Sequence, residues 1–174
     1  MTTKKKVLPD PVWIEEARKY IGLMEIVGAK HNPTILSWWQ LIKLNFKTDE
    51  IPWCMGFVMG MMALVGYPTI PTAWARDGLK YGVKLDKPAY GCIVVFERGS
   101  GGHVGFVVGK DTNGNLMVLG GNQANGVNIK PFDARLKANG GRVLGYRWPG
   151  KWPLPERFDL PLLTSDGKLS TNEA

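Results

Sequence analysis

The sequence predicts an α+β domain: helices from the first half pack on an antiparallel sheet of about five strands from the second. Three observations carry this. Up to Tyr81, apolar residues recur at helical spacing behind Asp-Pro and Asn-Pro start signals. After Pro88 the pattern changes to short runs rich in β-branched residues, parted by turns rich in Gly and Asn. Helices first and a strand meander afterwards is the order of an α+β domain. At 174 residues the chain suits one domain with a full core. Residues 1–10 read as a flexible basic lead, 11–149 as the folded domain and 150–174 as a Pro-rich tail that wraps the surface or is disordered.

Asp10 is the expected N-cap of the first helix, with Pro11 at its first position. Trp13, Ala17, Tyr20, Ile21 and Met24 then share one face, and Glu25 falls at the helix end, where a carboxylate opposes the dipole. Asn32 and Pro33 repeat the start signal, and Ile35, Leu36, Trp39, Ile42 and Phe46 continue it as an amphipathic helix. From Ile51 to Gly66 a loop turns into a third helix, apolar on almost every side and therefore a core element, with Cys54 in its first turn. Gly66 suits the left-handed residue that ends it. A short helix over Thr72–Tyr81 follows. The strands are expected at Cys92–Phe96, Val104–Val108, Leu116–Leu119, Val127–Lys130 and Val143–Trp148, with a hairpin turn at Asn113-Gly114.

The net charge of +7 points to an anionic partner, and nucleic acid and an anionic cell wall both fit. The basic residues are scattered, and no zinc-finger, helix-turn-helix or RNA-binding signature is present, so no specific nucleic acid is expected. Two cysteines make no disulfide scaffold, and Cys54, Cys92, His31 and His103 match no zinc-ligand spacing. No secretory signal is visible, and the most apolar helix is too short to span a membrane. The chain is therefore expected to fold in a cytoplasm, without membrane insertion and without a cofactor or metal.

A cysteine at a helix N-terminus meets unpaired N–H groups and the positive end of the dipole, which favour the nucleophilic thiolate. His103 follows Arg98-Gly99-Ser100-Gly101-Gly102 and opens a strand, where a rigid backbone fixes its side chain. Asn122, after the next strand, can accept a hydrogen bond from the imidazole. Cys54, His103 and Asn122 thus supply nucleophile, base and orienting group in fixed chain order.

Pro52-Trp53-Cys54 with Phe57-Val58, then Gly102-His103-Val104-Gly105, then Gly121-Asn122-Gln123, resemble the CHAP and NlpC-type cysteine peptidases over roughly Trp13 to Pro149. The likeness is to a phage-associated subgroup. It implies a papain-like core, and an amide hydrolase whose substrate and partner is bacterial peptidoglycan. It carries the nucleophile to Cys54, the base to His103 and the orienting residue to Asn122. Many CHAP members have a glutamate two positions before that asparagine; here Gly120 stands there. Some carry a calcium loop ahead of the cysteine; here only Asp49 and Glu50 are present, and no metal is implied.

Trp53, Trp74 and Gln123 are candidates for substrate binding, and Cys92 is expected to be inert. The expected setting is a phage endolysin, a monomer that accumulates in the host cytoplasm and reaches the wall once the inner membrane is breached. A toxin delivered between bacteria with the same chemistry, a non-catalytic wall-binding or virion protein, and a nucleic-acid binder remain as alternatives.

Overall fold

A computed structural model describes residues 8–150 and 155–171. Most of the basic lead and part of the tail lie outside the described residues. Three helices, α1 (Val12–Arg18), α2 (Pro33–Leu41) and α3 (Cys54–Leu64), precede six strands. These are β1 (Val83–Leu85), β2 (Ile93–Arg98), β3 (Gly101–Lys110), β4 (Leu116–Gln123), β5 (Gly126–Phe132) and β6 (Val143–Trp148). The sheet order is β1-β6-β2-β3-β4-β5, with every neighbouring pair antiparallel. The α+β class with helices on an antiparallel sheet is therefore as the sequence predicts, and compatible with a papain-like core. The sixth strand is β1, whose three residues are too few to show a periodicity.

The first helix is shorter than its pattern. It ends at Arg18, and the chain then turns at Gly22 (φ +97°) and joins the edge of β5. Gly22 N–H donates to Val127 O at 2.9 Å, and Glu25 N–H to Asn125 O at 2.8 Å. These ladder bonds replace the helical ones, so Ile21 and Met24 are exposed rather than in the core. Asp10 is not a side-chain cap; its carboxylate accepts from Arg18 Nε at 2.8 Å and from the Tyr90 hydroxyl at 2.5 Å. Asn32 does cap α2, accepting from Thr34 N–H at 3.0 Å. That helix stops at Leu41, because Lys43 turns left-handed (φ +66°), and Phe46 folds back edge-on to Trp39 at 5.0 Å. The fourth helix is a 3-10 segment, Ala75–Lys80.

The core lies where α3 meets the sheet. Every residue from Cys54 to Met62 is buried, which an all-round apolar helix requires. Gly56 and Gly60, one turn apart, let the indoles of Trp39 and Trp38 from α2 lie against the α3 backbone. Phe57 meets Phe106 of β3 edge-on at 6.2 Å. The sheet is curled: Phe96 of β2 and Phe132 of β5 stack at 4.6 Å although two strands separate them in the sheet order. Register shifts in the β2–β6, β3–β4 and β4–β5 pairs accompany the curl. In the tail, Leu160 joins the core, and Lys110 N–H donates to Pro161 O while Leu163 N–H donates to Lys110 O. Among the described residues no helix is long and apolar enough to cross a membrane.

Candidate active site

Cys54 is the first residue of α3, where helix N–H groups have no intrahelical acceptor. The side chain is only 3 % exposed. Burial pushes its thiol up to about 11 from an ordinary 9.0, and the N–H groups of Val104 and Met55, with the charge of Arg98, offset only part of this. The helix terminus acts in the expected direction but loses to desolvation, so Cys54 rests as a thiol rather than a thiolate.

The Val104 N–H that reaches the sulfur belongs to the residue after His103, and Gly102, the residue before it, borders the same groove as Cys54. Cys54 therefore meets β3 at the two residues that flank His103, Gly102 and Val104. The β3–β4 ladder runs from Lys110–Leu116 to Phe106–Leu119 and stops there, so the two backbones are not zipped at this level. Alternation puts Phe106 on the α3 side of β3 and His103 with Phe96 and Phe132. The imidazole lies parallel to the Phe132 ring (centroids 5.4 Å, 4° between planes), stacks on Phe96 at 6.2 Å and is fully buried.

Gln123 holds the imidazole. Its Oε1 is 3.0 Å from His103 Nε2. Its Nε2 faces only acceptors: Val118 O at 3.2 Å, Asn128 O at 3.0 Å and Asn128 Oδ1 at 3.0 Å. Three acceptors around the amide nitrogen settle which end is oxygen. The oxygen must accept, so in the neutral imidazole Nε2 carries the hydrogen and Nδ1 the lone pair.

The sequence assigns this place to Asn122, and the structure gives it to Gln123. The cause is the register shift between Gly120 and Gln123, with Asn122 left-handed at φ +57°. The extra residue reverses the alternation, so Gln123 joins the face of Gly120 and His103. Asn122 is buried, and its amide has no hydrogen-bond partner among the described residues. Gly120 has a reason of its own: a Cβ there would collide with Gln123 Oε1 and lie 3.4 Å from His103 Nε2. The space that a side chain at position 120 would need is occupied by the Gln123 amide.

Trp53 and Gln123 do not line a groove. Trp53 is fully buried under Gly121 and donates from Nε1 to Glu25 Oε2 at 3.0 Å, so Glu25 is held rather than merely solvated. Gln123 is fully buried, and its amide is committed to His103, Val118 and Asn128. Trp74 is 61 % exposed and does border the groove over Cys54, whose volume is about 420 Å³. Arg98 and Ser100 line it too; neither was singled out by spacing, because a strand end and a turn have no periodicity to read.

Ahead of the cysteine, buried Asp49 ties down the loop that leads to α3. It accepts from Asn32 N–H at 2.7 Å and Ile26 N–H at 3.0 Å, and pairs with His31 Nδ1 at 2.9 Å. Burial alone would raise its carboxyl, but these partners outweigh that and hold it below its ordinary value. Cys92 is fully buried, and burial pushes its thiol up to about 12, which leaves it unreactive at neutral pH. Among the described residues no three His, Cys, Asp or Glu side chains converge where they could hold a metal ion.

Residues 46–122, less than half of the chain, match the family model of the CHAP domain. No curated protein and no solved structure matches the chain. Domains of the CHAP family are typically cysteine peptidases or amidases that act on peptidoglycan. The matched span takes in Asp49, Cys54 and His103, and ends one residue before Gln123.

Proposed function

We propose that this chain is a CHAP-type cysteine hydrolase that cuts an amide bond of cell-wall peptide, with Cys54 as nucleophile, His103 as base and Gln123 as the residue that orients the imidazole. One observation carries the reading. A cysteine at the start of a core helix abuts the strand segment of a buried histidine whose tautomer is set by an amide with no other freedom.

Because Cys54 rests as a thiol, its proton moves to His103 Nδ1 as the sulfur attacks the carbonyl carbon. The N–H of Cys54, free of intrahelical bonding, is one donor to the oxyanion. Collapse of the tetrahedral intermediate breaks the C–N bond, and the imidazolium gives its proton to the departing amine. Water, deprotonated by His103, then releases the acid and restores the thiol. Nε2–H stays on Gln123 throughout, so the imidazolium that forms twice per cycle keeps one orientation.

The finer setting we propose is a phage endolysin acting at the host wall. The Trp-Cys, Gly-His-Val and Gly-Asn-Gln blocks support this, and the net charge of +7 suits an anionic envelope. The test is digestion of purified peptidoglycan by the wild type and by Cys54→Ala, with products identified by mass spectrometry. Wild-type products absent with Cys54→Ala support the reading, and their masses name the bond. Walls of several chemotypes left intact by the wild type would sink it.

A further inference from the structure

The groove over Cys54 has a chemical bias that the hydrolase reading leaves open. Its walls are apolar at Ile51, Pro52, Ala73 and Trp74, and among the described residues one charged side chain, Arg98, lines it and no acid does. We propose that Arg98 makes this groove selective for a peptide with a free carboxylate on the residue next to the bond that is cut. The inference rests on the proposed hydrolysis, because the groove lies directly over the nucleophile.

Two features suit Arg98 to that task. The first is a rigid mount. Arg98 ends β2, opposite Gly101. The turn between them is clamped by Arg76, whose Nε donates to Gly101 O at 2.6 Å and whose terminal nitrogen donates to Gly99 O at 2.9 Å. A cation on a pinned strand end loses little freedom when it takes a ligand. The second is local charge balance. Glu97, on the opposite side of the strand, accepts from Lys137 at 2.6 Å and pairs with Arg76 at 3.5 Å, so the two neighbouring cations already have an acidic partner. A guanidinium carries five N–H donors in a planar fork, enough to keep a protein partner and still grip a carboxylate. Trp74, exposed in the same groove, offers an aromatic face to the aliphatic part of the same residue.

The experiment uses two synthetic stem peptides that differ at one group: an N-acetylated tetrapeptide with a γ-linked glutamate bearing a free α-carboxylate, and its α-carboxamide twin. Binding is measured by calorimetry on full-length Cys54→Ala, which isolates recognition from chemistry. The carboxylate peptide should bind about 10- to 100-fold tighter, as expected for hydrogen bonds to a charged group. Cys54→Ala/Arg98→Gln, checked for an unchanged melting temperature, should bind the two alike, and Arg98→Lys in the same background should keep part of the preference. No binding of the carboxylate peptide, equal binding with Arg98 present, or a preference that survives Arg98→Gln would overturn the inference. On the wild type the ratio of kcat/KM for the two peptides should follow the binding ratio, since any effect of Arg98 on the thiol cancels between them. A binding preference with cleavage of neither peptide would instead count against the hydrolase reading, so the two failures are distinguishable.

Discussion

Asn122 and Gln123 stand side by side, and of the two Gln123 hydrogen-bonds the imidazole. This makes a pair of substitutions informative. Gln123→Ala removes the amide oxygen that holds Nε2, and should lower kcat on purified walls about 10- to 100-fold, part of the 10²–10⁴ that a positioned base supplies. Asn122→Gly keeps the left-handed backbone, and should retain activity and melting temperature. The reverse pattern would return the orienting role to Asn122. Gly120→Ala should resemble Gln123→Ala, because its Cβ displaces the same amide. The thiol makes a separate prediction. With Cys54 resting at about 11, its alkylation by iodoacetamide should be slow at neutral pH and rise about tenfold per pH unit up to roughly pH 10. A rate already on its plateau at pH 7 would mean a preformed thiolate.

At the scale of elements, α2 packs closely on α3, the helix that carries Cys54. Gly60 permits that approach: a Cβ there would lie 2.8 Å from Trp38 Cβ, and one on Gly56 would lie 2.9 Å from the Trp39 ring. Gly60→Ala gains about 1 kcal/mol of helix propensity. It loses about 1–3 kcal/mol to overpacking against an indole fixed by its neighbours, so the net effect should be destabilising. Thermal unfolding decides this, and a higher melting temperature would show that α2 can shift. The loop before α3 is set by Asp49. Asp49→Ala leaves the N–H groups of Ile26 and Asn32 unmatched and should cost about 2–3 kcal/mol. Activity should fall with it, because this loop leads the chain to Cys54.

Across the whole molecule, the perturbed groups bracket a pH window of stability. Burial pushes Cys54 up to about 11 and Cys92, Tyr81 and Tyr146 up to about 12, from ordinary values of 9.0 and 10.0. Folded-state values above unfolded ones mean that the folded chain keeps protons the unfolded chain has released. The stabilisation is whole below about pH 9 and is lost as pH rises through 11 to 12. Asp49 and Asp111 have the opposite sign. Burial raises both, but hydrogen bonds more than compensate and hold them below the ordinary 3.8, so their contribution is present above that value and lost as pH falls through the lowered ones. Urea midpoints should be flat through neutral pH and fall on both sides; a midpoint still rising above pH 10 would contradict the assignment for the thiols and phenols.

The class of the fold, the core character of α3, the cap of α2 and the placing of Cys54 at a helix start can all be read from the chain alone. Each follows from local physics: periodicity, a capping side chain, a glycine at a chain reversal. The tertiary structure decided the rest. The first helix stops at Arg18 because residues from Gly22 onward find better partners on β5 than in another turn. Cys54 rests as a thiol because burial, which has no local signature, outweighs the helix terminus. Gln123 rather than Asn122 meets His103 because one extra residue in β4 reverses which side chains face inward. Asn122, Ala124 and Asn125 are all left-handed there, a conformation that asparagine adopts more readily than most residues. Side-chain identity can be read along a chain, but the face that a side chain takes after a bulge depends on the register of a neighbouring strand.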